Sequence, residues 1–373
     1  MIYNSLCGEN ISRLGMGNMR LPEKFGEGRP VIDFEKAQEI IDYAMANGIN
    51  YFDTAYVYHG GDSEKFLGKA LKNYPRESYK LATKFSYGAN PDYKKVLQEQ
   101  LEYLQTDYID FYLLHGLGIG GNWNDFRDCG CIDYFMEMKE KGVIRHLGFS
   151  FHGTVDCLRE IVAHHNWDFC QLQMNYYDWL HADTQKEYEI VTEAGLPVVV
   201  MESLRGGLLA SLSPEAEAIL KAAHPDWSTA SWALRWLQRH PNVKVMLSGM
   251  SALEQIVDNV ATCETDSALT DADEAVLFEA CEQFRSNVLV PCTGCRYCVD
   301  TCPAQINIPE VLKVYNLHKD GAWTFMGLMR TGSKGKPMDC VSCGLCTEHC
   351  PQNIDVPHYM AALTDKLMPG RKK

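Results

Sequence analysis

Eight cysteines towards one end of the 373-residue chain fall into two copies of one spacing, and no other feature restricts its folding so tightly. The first copy is Cys292, Cys295, Cys298 and Cys302, followed by Pro303. The second is Cys340, Cys343, Cys346 and Cys350, followed by Pro351. Both read C-x₂-C-x₂-C-x₃-C-P. Three cysteines at three-residue intervals wrap a short loop round an inorganic core and offer three thiolates to three irons of a [4Fe–4S] cubane. The fourth, held just ahead of a proline, points the other way and serves a neighbouring cluster. Zinc, by contrast, is closed in by paired C-x₂-C units and needs neither the third cysteine nor the proline. The expected ligand sets are therefore crossed. Cys292, Cys295, Cys298 and Cys350 hold one cluster, and Cys340, Cys343, Cys346 and Cys302 hold the other.

The spacing is that of bacterial ferredoxins. The stretch between the motifs, Ala304 to Asp339, is longer than in compact ferredoxins. Within it, Ile308-Pro-Glu-Val-Leu-Lys-Val-Tyr places a proline at a helix start and apolar residues at helical intervals. The tail thus resembles the mainly α-helical ferredoxin domains of respiratory-type reductases. Crossed ligation ties its halves together, so it is expected to unfold without iron and sulfide. The other seven cysteines (Cys7, Cys129, Cys131, Cys157, Cys170, Cys263, Cys281) show no ligand spacing and read as buried small hydrophobes. For Cys129 and Cys131, in an expected loop, a redox or substrate role is the alternative.

Charge separates tail from body. Net charge is −14, yet residues 287–373 carry ten Lys or Arg against seven Asp or Glu. A domain of residues 1–286 followed by one of residues 287–373 is expected. So acidic a body disfavours nucleic acid as a partner. With 46% hydrophobic residues, no run of 18 apolar ones and no secretory signal at Met1, the chain reads as globular, outside the membrane and cytoplasmic.

Before the tail, short apolar runs alternate with amphipathic segments. The runs are 14–19, 50–55, 79–85, 108–115, 144–150, 169–175, 197–203 and 243–249. Helical spacing marks 34–47, 63–73, 93–105, 132–141 and 154–165 between them. Eight strand–helix repeats in about 250 residues specify a closed (β/α)₈ TIM barrel. Polar residues end the strands (Asp53, Lys84, His115, Ser150, Asn175 and Ser203), where such barrels keep their chemistry.

Several of these segments resemble the aldo-keto reductase family: Asn50-Tyr-Phe-Asp-Thr-Ala-Tyr-Val-Tyr, Thr83-Lys84, Asp107-Tyr-Ile-Asp-Phe-Tyr-Leu-Leu-His, Gly148-Phe-Ser150, Gln171-Leu-Gln-Met-Asn175 and Ser203-Leu-Arg-Gly-Gly207. The resemblance spans residues 11–262 and implies a catalytic tetrad of Asp53, Tyr58, Lys84 and His115. Carbonyl reduction needs hydride at carbon and a proton at oxygen. A lysine ammonium beside Tyr58 stabilises the phenolate, Asp53 keeps that ammonium charged, and His115 orients the substrate oxygen.

The resemblance also places Ser150 and Gln173 on the nicotinamide amide, Leu204, Gly206 and Gly207 near the pyrophosphate, and Gly249, Gln255 and Asn259 around the adenosine end; Asn175 and Arg205 are further cofactor-binding candidates, Arg205 as a source of positive charge. Met201 and Ser203 depart from an aromatic and a proline common in the family. Gly249 and Gln255 replace the basic residues that grip the 2′-phosphate, which favours NAD(H) over NADP(H). Hydride moves two electrons and each cluster one, so a bound flavin or a redox-active substrate between them is one arrangement. In it, an acidic ferredoxin or flavodoxin docks on the basic tail. In a second, the clusters are structural or sensory beside an ordinary nicotinamide reductase. A third makes the protein a redox-responsive subunit whose barrel binds cofactor with little turnover. Flavin-dependent enoate reductases share the parts list but not the pattern of two clusters and four polar groups. Tyr87, Trp123, Tyr176, Tyr177 and Trp179 are expected either at the barrel mouth, favouring an apolar carbonyl, or packing loops.

Overall fold

The structure of the protein, a computed structural model, describes residues 1–26, 29–286, 288–299, 301–317, 327–328 and 331–367. Asn287, at the expected domain boundary, lies outside them. The chain forms two compact units: Met1–Leu204 with Asp226–Glu274, and Arg205–Pro225 with Ala275–Lys373.

The first unit opens with an antiparallel hairpin, β1 (Tyr3–Leu6) and β2 (Glu9–Ser12), turning on Cys7 and Gly8 at positive φ. Then β3 (Leu14–Gly17) begins a barrel, and a second hairpin follows, β4 (Glu23–Gly26) with β5 (Arg29–Ile32). The remaining strands are β6 (Tyr51–Asp53), β7 (Lys80–Phe85), β8 (Ile109–Leu117), β9 (Ile144–Phe151), β10 (Phe169–Gln173), β11 (Val198–Met201) and β12 (Val243–Ser248). All eight apolar runs supply barrel strands. Each pairs in parallel with the next in the chain, and β12 closes on β3. Tyr51, Phe111, Phe169, Val199 and Val245 fill the interior towards the strand starts, and Leu6 and Ile11 of the first hairpin are buried with them. That end is plugged, so chemistry is left to the other.

The crossover helices follow the expected periodicity. Phe34–Ala46 buries Ala37, Ile40, Ile41 and Ala44, one stripe at helical spacing. Thr154, Ser228 and Asn175 each cap a helix by accepting from the backbone N–H three residues on. Of the aromatic residues expected at the mouth or in loops, Trp179 packs on Trp236 and His240, and Trp123 is buried with its Nε1 donating to Glu160. Cys131 is buried, and loss of hydration pushes its thiol far up, which leaves it unreactive. Among the described residues no helix is long and apolar enough to cross a membrane.

In the second unit, helices Ile308–Leu317 and Val356–Leu367 pack through Val311, Leu312, Val314, Met360 and Leu363, with Tyr315 edge-on to Tyr359 at 5.3 Å. Within the unit the two cysteine motifs lie 48 positions apart and share a backbone conformation. Positive φ falls at Gly294, Arg296 and Gln305 in the first and at Ser342, Gly344 and Asn353 in the second, the same three places. The turn bonds repeat as well: Gln305 N to Cys302 O and Ile308 N to Ile306 O recur as Asn353 N to Cys350 O and Val356 N to Ile354 O.

Two features of the first unit give tests of its packing. Gly68, in the helix Asp62–Ala70, lies against the helix Tyr93–Leu104 so closely that a Cβ would sit 2.1 Å from the Tyr103 carbonyl oxygen. Gly68→Ala must push the helices apart and is expected to cost about 3 kcal/mol in urea or thermal unfolding. Beside it, fully buried Glu64 accepts from Thr83 Oγ1 and Gln100 Nε2, and Tyr112 donates to Gln100 Oε1. Burial raises the Glu64 carboxyl from 4.5 to about 7. Because the folded value is the higher one, its contribution is complete below pH 4.5 and is lost as pH rises through 7. Unfolding measurements should show a fall of up to about 3 kcal/mol over that window. Glu64→Gln should abolish the fall; an unchanged slope in the variant would show that the carboxyl titrates elsewhere.

Candidate active site and cluster centres

Asp53 ends β6 and Lys84 is the penultimate residue of β7, and the parallel register that sets Asp53 opposite Ala82 brings the two side chains together. Lys84, with no exposed surface, donates to Asp53 Oδ1 at 2.7 Å, to Asp53 Oδ2 at 2.8 Å and to the Thr54 carbonyl at 2.7 Å. Its three N–H groups thus point at three oxygens. Burial alone pushes Lys84 down and Asp53 up; each opposes the other's shift, and the short bidentate contact marks an ion pair. The ammonium lies 5.0 Å from the centre of the Tyr58 ring.

Tyr58 starts a short helical turn, Tyr58–Gly61, whose His59 and Gly60 take positive φ. It is 8% exposed, and its ring stands edge-on to His115 with centroids 6.0 Å apart. His115, on β8, keeps part of its surface open and places Nδ1 2.7 Å from Ser86 Oγ. Loss of hydration, then the Lys84 charge, then His152 hold it well below the usual imidazole range, so the ring is neutral at pH 7. Asp53, Tyr58, Lys84 and His115 are thus gathered at one end of the barrel. Thr54 and Ser86, which complete the arrangement, carry no sequence signal: one contributes a backbone carbonyl, the other an ordinary hydroxyl.

The expected nucleotide contacts are placed as follows. Ser150 Oγ accepts from Gly116 N at 2.8 Å. Gln173 and Asn175 each donate to Asp178 Oδ2 at 2.7 Å, and Asn175 donates also to the Glu202 carbonyl. Asp178, which orients both amides, was not among the expected residues. Gln255 Oε1 accepts from Ser251 N, and buried Asn259 donates to Ser248 Oγ. Gly249 lies against the Arg20 side chain, a cation that the strand-end pattern does not single out; Arg20 faces Glu202 at 3.8 Å. Leu204 closes the run of the first unit. Gly206 and Gly207, both at positive φ, and Arg205 belong to the second unit, where Arg205 donates to the Pro291 carbonyl at 2.9 Å and to Gln352 Oε1 at 2.7 Å.

The eight motif cysteines line two separate cavities. One is bordered by Cys292, Cys295, Cys298 and Cys350, the other by Cys302, Cys340, Cys343 and Cys346. The grouping is that of the crossed assignment, with the last cysteine of each motif at the other's cavity. The second is otherwise walled by apolar residues such as Ile306, Leu345 and Met360; the first adds Arg296, His349 and Gln352. Four thiols round an apolar hollow suit a metal–sulfide cubane, whose bridging sulfides want no further ligand. Among the described residues no three His, Cys, Asp or Glu side chains close on a point tightly enough for a single ion.

Residues 13–280 match the model of the aldo/keto reductase family, and residues 291–354 match a 4Fe-4S dicluster domain. The uncharacterized oxidoreductase YqkF of Bacillus subtilis is 31% identical over 284 residues, 67% of this chain and 87% of that protein. The NADH-specific methylglyoxal reductase of Escherichia coli is 26% identical over 321 residues, 73% and 95% of the two chains. Among solved structures, the holo form of aldo-keto reductase AKR11C1 from Bacillus halodurans superposes with a TM-score of 0.61 at 29% identity, covering 75% of this chain and 96% of its own. With a closed eight-stranded parallel barrel, the family model over most of its length and a dicluster segment after it, the chain belongs to the aldo/keto reductase family and is an oxidoreductase with a 4Fe-4S dicluster domain.

Proposed function

We propose that the protein reduces a small carbonyl compound, or oxidises the corresponding alcohol, with Tyr58 as proton donor and NAD(H) preferred to NADP(H). We propose further that residues 287–373 hold two [4Fe–4S] clusters that exchange single electrons with a ferredoxin or flavodoxin. The observation that carries the reading is the buried ammonium of Lys84, pinned by Asp53 and Thr54 beside the Tyr58 ring. When bound, the nicotinamide supplies a hydride and the clusters supply single electrons.

The chain's own groups supply the rest. With its three N–H bonds committed, Lys84 acts on Tyr58 as a point charge, stabilising the negative charge that develops on the phenol oxygen as its proton leaves. Buried charge is felt strongly there, because little water screens it. His115 is neutral, so it does not compete with Lys84 for that role. In the tautomer in which Ser86 donates to Nδ1, the imidazole proton is on Nε2, where it can hold a substrate oxygen. Gly249 and Gln255 offer no cation to a 2′-phosphate, and Arg20 beside Gly249 faces the Glu202 carboxylate, which supports NAD(H). The NADH-specific relative in Escherichia coli points the same way. Among the described residues Cys343 is exposed and Val341 beside it is 67% exposed, so the second quartet offers the more open edge to solvent and a carrier.

Tyr58→Phe should lower turnover of an aldehyde panel with NADH by ~10²–10⁴-fold while leaving nucleotide binding near wild type. A loss confined to KM, or none, would remove Tyr58 from the proton path. The cluster reading has its own test. Anaerobically isolated protein should contain about eight iron and eight sulfide atoms. Cys302→Ala and Cys343→Ala should abolish the same low-temperature EPR signal of the reduced protein, although they lie in different motifs. Loss of different signals would mean uncrossed ligation.

A further inference from the structure

We propose that Arg205 raises the reduction potential of the cluster held by Cys292, Cys295, Cys298 and Cys350 above that of its partner, so that an electron shared by the pair rests on the first. The inference depends on the two-cluster reading. The two cysteine motifs match in spacing, in their left-handed positions and in several turn bonds, and an unmodified repeat would give two equivalent clusters. Departures from the repeat are therefore where a difference must come from.

Arg205 makes one such departure. It is 2% exposed and held at φ 48°, a region that a side chain of its size seldom occupies. Its guanidinium bridges the chain on either side of the first quartet: the Pro291 carbonyl precedes Cys292, and Gln352, which lines that quartet's cavity, lies two residues past Cys350. Neither partner recurs in the second copy. The residue 48 positions after Pro291 is Asp339, and the one 48 before Gln352 is Ala304. A buried cation thus adjoins the first quartet, where the second has only Ala304 and the exposed, solvent-screened Asp339, which immediately precedes Cys340. The walls differ in the same sense, since Arg296 borders the first cavity while, among the described residues, no charged residue borders the second.

Charge decides the direction. One-electron reduction adds a negative charge to a core already ringed by four thiolates. A neighbouring guanidinium favours that step, and one withdrawn from water does so with little screening. Exposed Arg296 is screened and contributes less. Arg205 is accordingly a positioning residue: it fixes the loops that carry Cys292 and Cys350 and sets the field at their cluster.

The test is a potentiometric titration of the full-length protein with dithionite and mediators, followed by EPR, alongside iron and sulfide analysis. Cys343→Ser assigns the signals by perturbing the second quartet only. Wild type should show two resolved steps, the higher belonging to the first quartet. In Arg205→Gln that step should move to lower potential while the other stays; Arg205→Lys, which keeps the charge without the two-pronged contact, should hold it near the wild-type value. Unmoved steps in Arg205→Gln with iron content intact would overturn the proposal, as would an equal fall in Arg205→Lys. Wild-type protein short of iron would instead undo the two-cluster reading itself.

Discussion

A charged ammonium sits in the wall of this barrel without contact with water, and much of the first unit can be understood as what makes that tolerable. Stripped of hydration, Lys84 would lose its proton unless anions and dipoles replaced the solvent. Asp53 and the Thr54 carbonyl do so, and they can reach it only because β6 and β7 are parallel, adjacent and in one fixed register. Taking away either member of such a pair typically costs about 3–5 kcal/mol. Glu64 also feels the Lys84 charge, and burial raises its carboxyl to about 7. A second fully ionised carboxylate there would pull the ammonium's field away from Tyr58. A carboxyl that protonates near neutrality leaves most of that field directed at the phenol.

The second unit answers a different constraint. Its apolar core is small and drawn from two short helices and their flanking turns, and domains of that size are generally held by something besides packing. Crossed thiolate sets supply the remainder, since each inorganic core would join both copies of the motif. The left-handed residues at matching places, Gly294 with Ser342 and Arg296 with Gly344, curl each loop so that its first three sulfurs face one hollow. Glycine occupies only one of each matched pair, so loop shape is dictated by the cysteine spacing more than by glycine's backbone freedom.

What the sequence disclosed follows the same physics. The barrel was legible because buried parallel strands demand continuous apolar runs, and all eight runs became strands. Asp53, Lys84 and His115 were legible as ionisable groups on the barrel strands, and the family resemblance joined to them Tyr58, in the turn after β6. The hairpins β1–β2 and β4–β5 were not, although Cys7-Gly8 is a two-residue turn between short alternating stretches; four-residue strands give too little pattern to stand out. Thr54, Ser86 and Asp178 were hidden because their parts depend on three-dimensional neighbours and not on residue type. Arg205 was visible as a charge beside two glycines, but spacing cannot say where a long side chain points. Its partners lie 86 and 147 residues away.

That distance also changes what the tail's charge can mean. Residues 287–373 hold a surplus of three basic side chains, which invites the thought of an acidic carrier drawn to a basic surface. Yet each oxidised [4Fe–4S] core with its four thiolates carries about two negative charges, so two of them together bring about four. Loaded, the tail is close to neutral and slightly acidic, on a body that is strongly acidic. The surplus lysines and arginines therefore read as counter-charge for the clusters, and long-range attraction to an acidic protein loses its basis. Recognition of a carrier then rests on short-range features at the exposed cluster edge, where Val341 and Leu345 leave apolar surface beside Cys343.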